Sequence, residues 1–108
     1  DCVNIGGCGG ATSAVNAYQQ DVTDSGVFGM VGNVSEIVSG WYDPMYYRRA
    51  PERNPLGPDG PGQMNLVPVR GGNFQDPASF STMTYRGFRH LLNHRSGRPN
   101  IGFRCVKM

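Results

Sequence analysis

Glycine and proline occur along the whole chain, and they restrict its fold more than any other feature. The 108 residues include 16 glycines and 8 prolines, which are spread along the sequence and not gathered in one linker. Both residue types interrupt helices and favour turns, so we expect short strands joined by many turns. The segment DPMYYRRAPERNPLGPDGPGQMN at 43–65 predicts a long surface excursion that begins with a short helical turn at MYYRR.

Four segments between these turns have the composition or alternation of short strands. The strand candidates are VFGMVGNVSEIVSGWY at 27–42, LVPVRGGNF at 66–74, TMTYRGFRH at 82–90 and IGFRCVKM at 101–108. Pro68 cannot donate a backbone hydrogen bond, which predicts an edge position for the second of them. The sequence therefore predicts an irregular, loop-rich α+β fold with short antiparallel strands.

The size and charge of the chain limit the classes of protein it can belong to. A domain of this length buries only roughly 60 to 65% of its unfolded surface, and a net charge of +2 is too small to keep it expanded. The first 47 residues hold five acids and no Lys or Arg, whereas nine of the ten later cations are Arg. We expect the two halves to pair within one fold, and a nucleic-acid partner is disfavoured.

Neither a membrane span nor a zinc site is predicted. No apolar stretch approaches the roughly 18 residues that a membrane span requires. The three cysteines, Cys2, Cys8 and Cys105, have no CxxC spacing. A bridge from Cys2 or Cys8 to Cys105 would favour a secreted or surface-exposed protein. The chain opens at Asp1 without a leader, which is expected of a processed, truncated or excised chain.

Three stretches in a fixed order resemble a known family. They are GMVGNVSEIVSGWYDPMYY at 29–47, VRGGNF at 69–74, and YRGFRH at 85–90 followed by NIGFRCV at 100–106. Together they are similar to the C-terminal half of the formylglycine-generating enzyme, or sulfatase-modifying factor, family. The resemblance implies a C-type-lectin-like fold. It also implies that residues 1–108 form the C-terminal part of such a domain, with the N-terminal half of the family domain absent.

The resemblance implies a possible calcium site at the turn GMVGNVSE. In the family, calcium is held there by two backbone carbonyls and a carboxylate, which correspond to Gly32, Val34 and Glu36. Oxygen ligands of this kind suit a hard cation. Gly29 stands where the family usually has Asn or Asp, so one ligand oxygen is lost. The alternative is that Glu36 accepts hydrogen bonds from a later arginine, Arg70 or Arg104, and binds no metal.

The same resemblance argues against the family's copper-dependent oxidase activity. That activity needs two thiolates shortly after the RGGS segment, because soft sulfur ligands select Cu(I). Here these positions fall on Asp76 and near Ser81 or Thr82, and no Cys occurs from residue 9 to 104. His90 and His94 are expected to be ordinary loop histidines and not metal ligands.

We therefore predict a non-catalytic module that binds a protein or glycan ligand. The segment 75–100 would display its side chains on the scaffold, with ligand contacts from Tyr85, Phe88, Arg95 and Arg98, because aromatic and arginine side chains dominate binding energetics. Arg86, Arg89 and Arg104 are assigned to structure. The alternatives are an inactive or incomplete member of the formylglycine-generating oxidase or sulfoxide synthase family, and a structural remnant. A second chain or a homo-oligomer is expected to complete the fold.

Overall fold

The computed structural model describes residues 3–90 and 97–107, which form a loop-rich α+β fold around one small mixed sheet. Its strands are β1 (Ser35–Ile37), β2 (Leu66–Arg70), β3 (Gly87–His90) and β4 (Ile101–Gly102), arranged in the order β3-β2-β1-β4. Within this part of the chain, helical structure is limited to 3₁₀ turns at Tyr46–Arg48 and Ala78–Ser81. The first of these confirms the helical turn predicted at MYYRR.

Strand β2 lies at the centre of the sheet and carries most of the small core. It pairs antiparallel with β1 on one side and with β3 on the other. Among the described residues, the large buried apolar side chains are Leu66, Val67, Pro68, Val69 and Phe74. The strand ends at the glycine pair Gly71-Gly72, where both residues have positive φ, as the sequence predicts.

The predicted edge position of Pro68 is wrong, because β2 is a central strand. The carbonyl oxygen of Pro68 accepts a hydrogen bond from the amide of Val38 (3.1 Å), on the β1 side. The nitrogen of Pro68 points to the same side, so the reciprocal bond cannot form, and β1 ends one residue earlier, at Ile37. The backbone N–H that Pro68 lacks would therefore lie at the end of the hydrogen-bonded ladder between β1 and β2.

The last strand is shorter than predicted, and its pairing is parallel. Strand β4 pairs with β1 through Ser35↔Ile101 and Glu36↔Gly102, whereas the sequence predicts an antiparallel strand that continues to residue 106. Because β1 has only three residues, the ladder ends at Gly102. Beyond it Phe103 is 77% exposed and Val106 is 78% exposed.

The chain exposes more surface than a folded protein of its mass normally does. Its accessible surface is 7950 Å², whereas a compact chain of this mass exposes roughly 5,900 Å². The radius of gyration of 14.8 Å also exceeds the value of about 13 Å expected for this length. Exposed apolar side chains, including Leu56, Met83 and Phe103, contribute to the excess. That a second chain or a homo-oligomer covers these apolar side chains stays a prediction, and the excess exposed surface favours it.

Across residues 3–90 and 97–107 we find no helix with the length and apolarity needed to cross a membrane.

Candidate functional site

Arg104 clamps the turn that contains Glu36. Its Nε donates to both carboxylate oxygens of Glu36, at 2.8 and 2.7 Å, and its Nη2 also donates to Oε1. The same guanidinium donates to the carbonyl oxygens of Phe28 (3.1 Å) and Gly29 (2.8 Å). Arg70, the other predicted partner of Glu36, instead donates to the carbonyl oxygen of Met83. One arginine from the end of the chain therefore holds three groups of the turn.

The charges around this clamp reinforce one another. The hydrogen bond with Glu36 raises the pKa of Arg104, and the negative charge of Asp21 adds to this, while burial opposes it. A raised pKa means that the stabilisation from Arg104 is fully present below its already high unfolded pKa and is lost only in strong alkali. Burial raises the pKa of Asp21, which the amide of Val31 and the charge of Arg104 partly offset. Arg104 is therefore charged throughout the physiological pH range.

The turn itself depends on Gly32 and on contacts with the start of the chain. Gly32 has a φ of +80°, and a Cβ there would overlap the carbonyl oxygen of Asn4. The amide of Gly32 donates to the carbonyl oxygen of Gly71 (2.7 Å), and the amide of Asn33 donates to that of Asn4 (2.7 Å). The Oδ1 of Asn33 accepts from the amide of Ser13 (2.9 Å). The first residues are thus fixed against the turn by backbone and amide hydrogen bonds.

The donor set at this turn suits calcium only if Arg104 moves. Both oxygens of Glu36 already accept from the guanidinium of Arg104. A calcium ion would therefore have to displace the guanidinium or share the carboxylate with it. In the part of the chain that is described, no three His, Cys, Asp or Glu side chains cluster as a metal site. Calcium binding by Gly32, Val34 and Glu36 stays a prediction, and the structure adds Arg104 as its competitor.

A second polar centre lies behind the sheet, around the fully buried Asn73. Its Nδ2 donates to Ser35 Oγ (2.9 Å) and to Asp76 Oδ2 (2.7 Å), while its Oδ1 accepts from the amides of Gln75 (2.9 Å) and Asp76 (3.0 Å). An amide side chain can make about four such bonds, so Asn73 is fully satisfied. The amide of Gly6 donates to the carbonyl oxygen of Asp76 (3.0 Å). Asn73 therefore joins Ser35 to the segment at 75–76, which in turn holds Gly6, and the sequence analysis missed this role.

The resemblance assigns the family's copper thiolates to Asp76 and to a position near Ser81 or Thr82, and this assignment stays a prediction. Asp76 is bound to Asn73, and Ser81 packs so closely on Gly72 that a Cβ on Gly72 would overlap its Oγ. The Oγ of Ser81 is buried and makes no hydrogen bond to any described group. A cavity of about 160 Å³ adjoins Asp76, and its lining also includes Ser35, Gly72, Phe80, Tyr85 and Arg89.

The predicted ligand-binding residues do not form one surface. Tyr85 is half-buried and stacks on Phe80, with ring centroids 4.7 Å apart and an angle of 7°, so it lines the cavity. Phe88 is 49% exposed, and its ring lies 5.0 Å from that of Tyr42. Arg98 is exposed, and Arg95 lies outside the described residues. Their place in a ligand site stays a prediction.

The arginines assigned to structure have different partners. Arg86 lies over the ring of Tyr47, 5.3 Å from its centroid, and donates to the hydroxyl of Tyr47 (2.8 Å). Arg89 donates to the carbonyl oxygen of Phe88 (2.7 Å). Only Arg104, of these three, pairs with an acid of the first half within the described ranges.

Among the described cysteines, no disulfide joins Cys8 to Cys105.

Comparison with known proteins identifies the family of this chain. The model of the sulfatase-modifying factor enzyme 1-like domain matches residues 7–108. A curated formylglycine-generating enzyme from Streptomyces coelicolor is 32% identical over 96 residues, which cover 89% of this chain and 29% of the relative. The chain thus spans less than a third of that relative's length. These matches confirm the resemblance in the three sequence stretches, and the chain belongs to the family of sulfatase-modifying factor enzyme 1-like domains.

Proposed function

We propose that this chain is a non-catalytic ligand- or partner-binding module built on the family's scaffold. The observation that carries the proposal is a carboxylate at Asp76 and hydroxyls at Ser81 and Thr82, where the resemblance assigns the thiolates that the family's oxidase needs. Asp76 is also held by Asn73 through Oδ2 (2.7 Å). Neither side chain offers the soft sulfur that selects Cu(I).

The exposed aromatic surface beside β3 supports a binding role. Phe88 and Tyr42 form one ring pair, and Arg86 with Tyr47 forms a cation–π pair. Aromatic and arginine side chains contribute most of the energy of many interfaces. We therefore keep Phe88 and Arg98 as the residues to test for contact with a protein or glycan ligand, and Tyr85 as a contact within the cavity.

A screen followed by paired substitutions tests this proposal. The purified chain is used to probe a glycan array and a random-peptide library, and the strongest binder is measured against Phe88→Ala and Arg98→Ala. Each substitution should weaken binding by more than about fivefold, while changing the free energy of unfolding by about 0.5 kcal/mol for the exposed Arg98. Arg53→Ala, an exposed arginine in the 43–65 excursion, is the matched control and should leave binding unchanged. A binder unaffected by both substitutions, or no binder at all, would contradict the proposal.

The alternative is an inactive or incomplete member of the formylglycine-generating oxidase or sulfoxide synthase family. The curated relative is named a formylglycine-generating enzyme, and this chain covers 29% of it. Oxidase activity in this chain would need copper ligands other than Asp76 and Ser81 or Thr82, so copper-dependent turnover would contradict the non-catalytic proposal.

We also propose that the turn at 29–36 binds calcium, and a calcium titration tests this. If calcium binds Gly32, Val34 and Glu36, saturating calcium should raise the melting temperature by mass action, and Glu36→Gln should remove most of that rise. Because Arg104 competes for Glu36, the rise should be larger in Arg104→Ala than in the parent chain. Magnesium, which requires a near-ideal octahedral site, is the control ion. No rise in either protein at millimolar calcium after chelation would end the proposal.

A further inference from the structure

The cavity that adjoins Asp76 is lined by two residues of opposite charge that do not pair with each other. Asp76 and Arg89 both line it, yet no ion pair joins them among the described residues. We propose that this cavity binds a small zwitterion of the α-amino acid class, with its ammonium group on Asp76 and its carboxylate on Arg89. This inference rests on the proposed binding function and names one ligand class for it.

Asp76 and Arg89 each use only part of their hydrogen-bonding capacity in contacts within the protein. Asp76 accepts from Asn73 through Oδ2 (2.7 Å), and a carboxylate offers about four acceptor positions. Arg89 donates through Nη1 to the carbonyl oxygen of Phe88 (2.7 Å), and a guanidinium has about five N–H donors in a fork that matches a carboxylate. The anchors hold both groups, and their remaining positions make no side-chain hydrogen bond to any other described residue.

The size and walls of the cavity suit a small amino acid. Its volume of about 160 Å³ corresponds to roughly five water molecules at liquid density. The stacked rings of Phe80 and Tyr85 supply an apolar wall. Gly87 also lines the cavity, where a Cβ would come within 3.4 Å of the Tyr85 ring. The cavity is thus small and partly apolar, and it would be narrower if Gly87 carried a side chain.

A zwitterion fits this arrangement better than a ligand with one charge. An amine would pair with Asp76 and leave the guanidinium of Arg89 without a counter-charge, and a simple carboxylate would do the reverse. Charged groups that remain unpaired in a partly buried site cost free energy. A ligand that carries both charged groups on one carbon atom would offer a counter-charge to each residue.

Calorimetric titration of the whole chain with L-alanine, methylamine and acetate tests the inference. L-Alanine should bind, and methylamine and acetate should each bind at least tenfold more weakly. Asp76→Asn keeps an acceptor for Asn73 but removes the charge, and Arg89→Gln removes the guanidinium. Each should weaken L-alanine binding at least tenfold. The matched controls are Asp59→Asn and Arg86→Gln, which remove the same charges outside the cavity and should leave L-alanine binding unchanged.

Failure of L-alanine to bind the unsubstituted chain would overturn the inference, as would binding of methylamine or acetate with equal affinity. These comparisons need no variant, so they hold even if Asp76→Asn lowers the stability of the fold. The screen with Phe88→Ala and Arg98→Ala is independent of them. A glycan or peptide binder that needs Phe88, together with no binding of L-alanine, would overturn the zwitterion site and leave the proposed binding function intact.

Discussion

Replacing Asn73 with alanine should lower the free energy of unfolding by about 3 kcal/mol. The substitution removes four hydrogen bonds made by one fully buried side chain. It also leaves the buried hydroxyl of Ser35 and the amides of Gln75 and Asp76 without that partner. Unsatisfied buried groups cost about 1 to 3 kcal/mol each, partly relieved where water enters.

Denaturant titration of Asn73→Ala measures this effect. Asn16→Ala, at an exposed asparagine, is the matched control and should change the free energy of unfolding by about 0.5 kcal/mol or less. The melting temperature of Asn73→Ala should fall by about 10 °C or more, since each kcal/mol corresponds to roughly 4 to 8 °C in a domain of this size. A loss below about 1 kcal/mol would show that Asn73 does not organise the polar centre.

Replacing Arg104 with glutamine should lower the free energy of unfolding by about 2 kcal/mol. The guanidinium bonds both oxygens of Glu36 and the carbonyl oxygens of Phe28 and Gly29. Its side chain is 33% exposed and that of Glu36 is 20% exposed, so solvent screening keeps the loss below that of a fully buried pair. Arg104→Lys should recover less than half, because an ammonium cannot form the forked arrangement.

A double-mutant cycle with Glu36→Gln isolates the pair from the carbonyl contacts of Arg104. Thermal melts should give a coupling energy of about 1 kcal/mol between Arg104 and Glu36. The control is Arg49→Gln, which breaks the pair with Asp43, where Arg49 is 59% exposed, and it should lower the melting temperature much less than Arg104→Gln does. Equal losses for Arg104→Gln and Arg49→Gln would contradict the clamp.

Local patterns predicted those parts of the fold that local chemistry determines. The glycine pair after Arg70 ends β2, since both glycines have positive φ. The short turn at Tyr46–Arg48 follows Asp43, whose carboxylate accepts from the amide of Met45 (2.8 Å). A bond between Glu36 and Arg104 stood among the alternatives because the acids and the arginines are separated along the chain.

The remaining features depend on contacts that no local pattern reports. The edge position predicted for Pro68 was wrong, because the effect of its missing N–H donor depends on which neighbouring strand the proline nitrogen faces. The polar centre joins Ser35 to Asn73, 38 residues apart. Its only local sign is an asparagine three residues before Asp76, after a glycine pair. The cavity requires β3 to bring Arg89 beside Asp76, which is set by the pairing of β3 with β2.

The most direct test of the non-catalytic proposal is oxygen consumption by the copper-treated chain in the presence of a cysteine-containing peptide. With a carboxylate at Asp76 and a hydroxyl at Ser81, we expect no oxygen consumption above that of copper and peptide alone. Any Cu(I) retained should be lost when Cys2, Cys8 and Cys105 are replaced with serine, because these are the only thiols in the sequence. Stoichiometric, thiol-dependent Cu(I) binding followed by oxygen consumption and oxidation of the peptide cysteine would contradict the proposal and make this chain an oxidase.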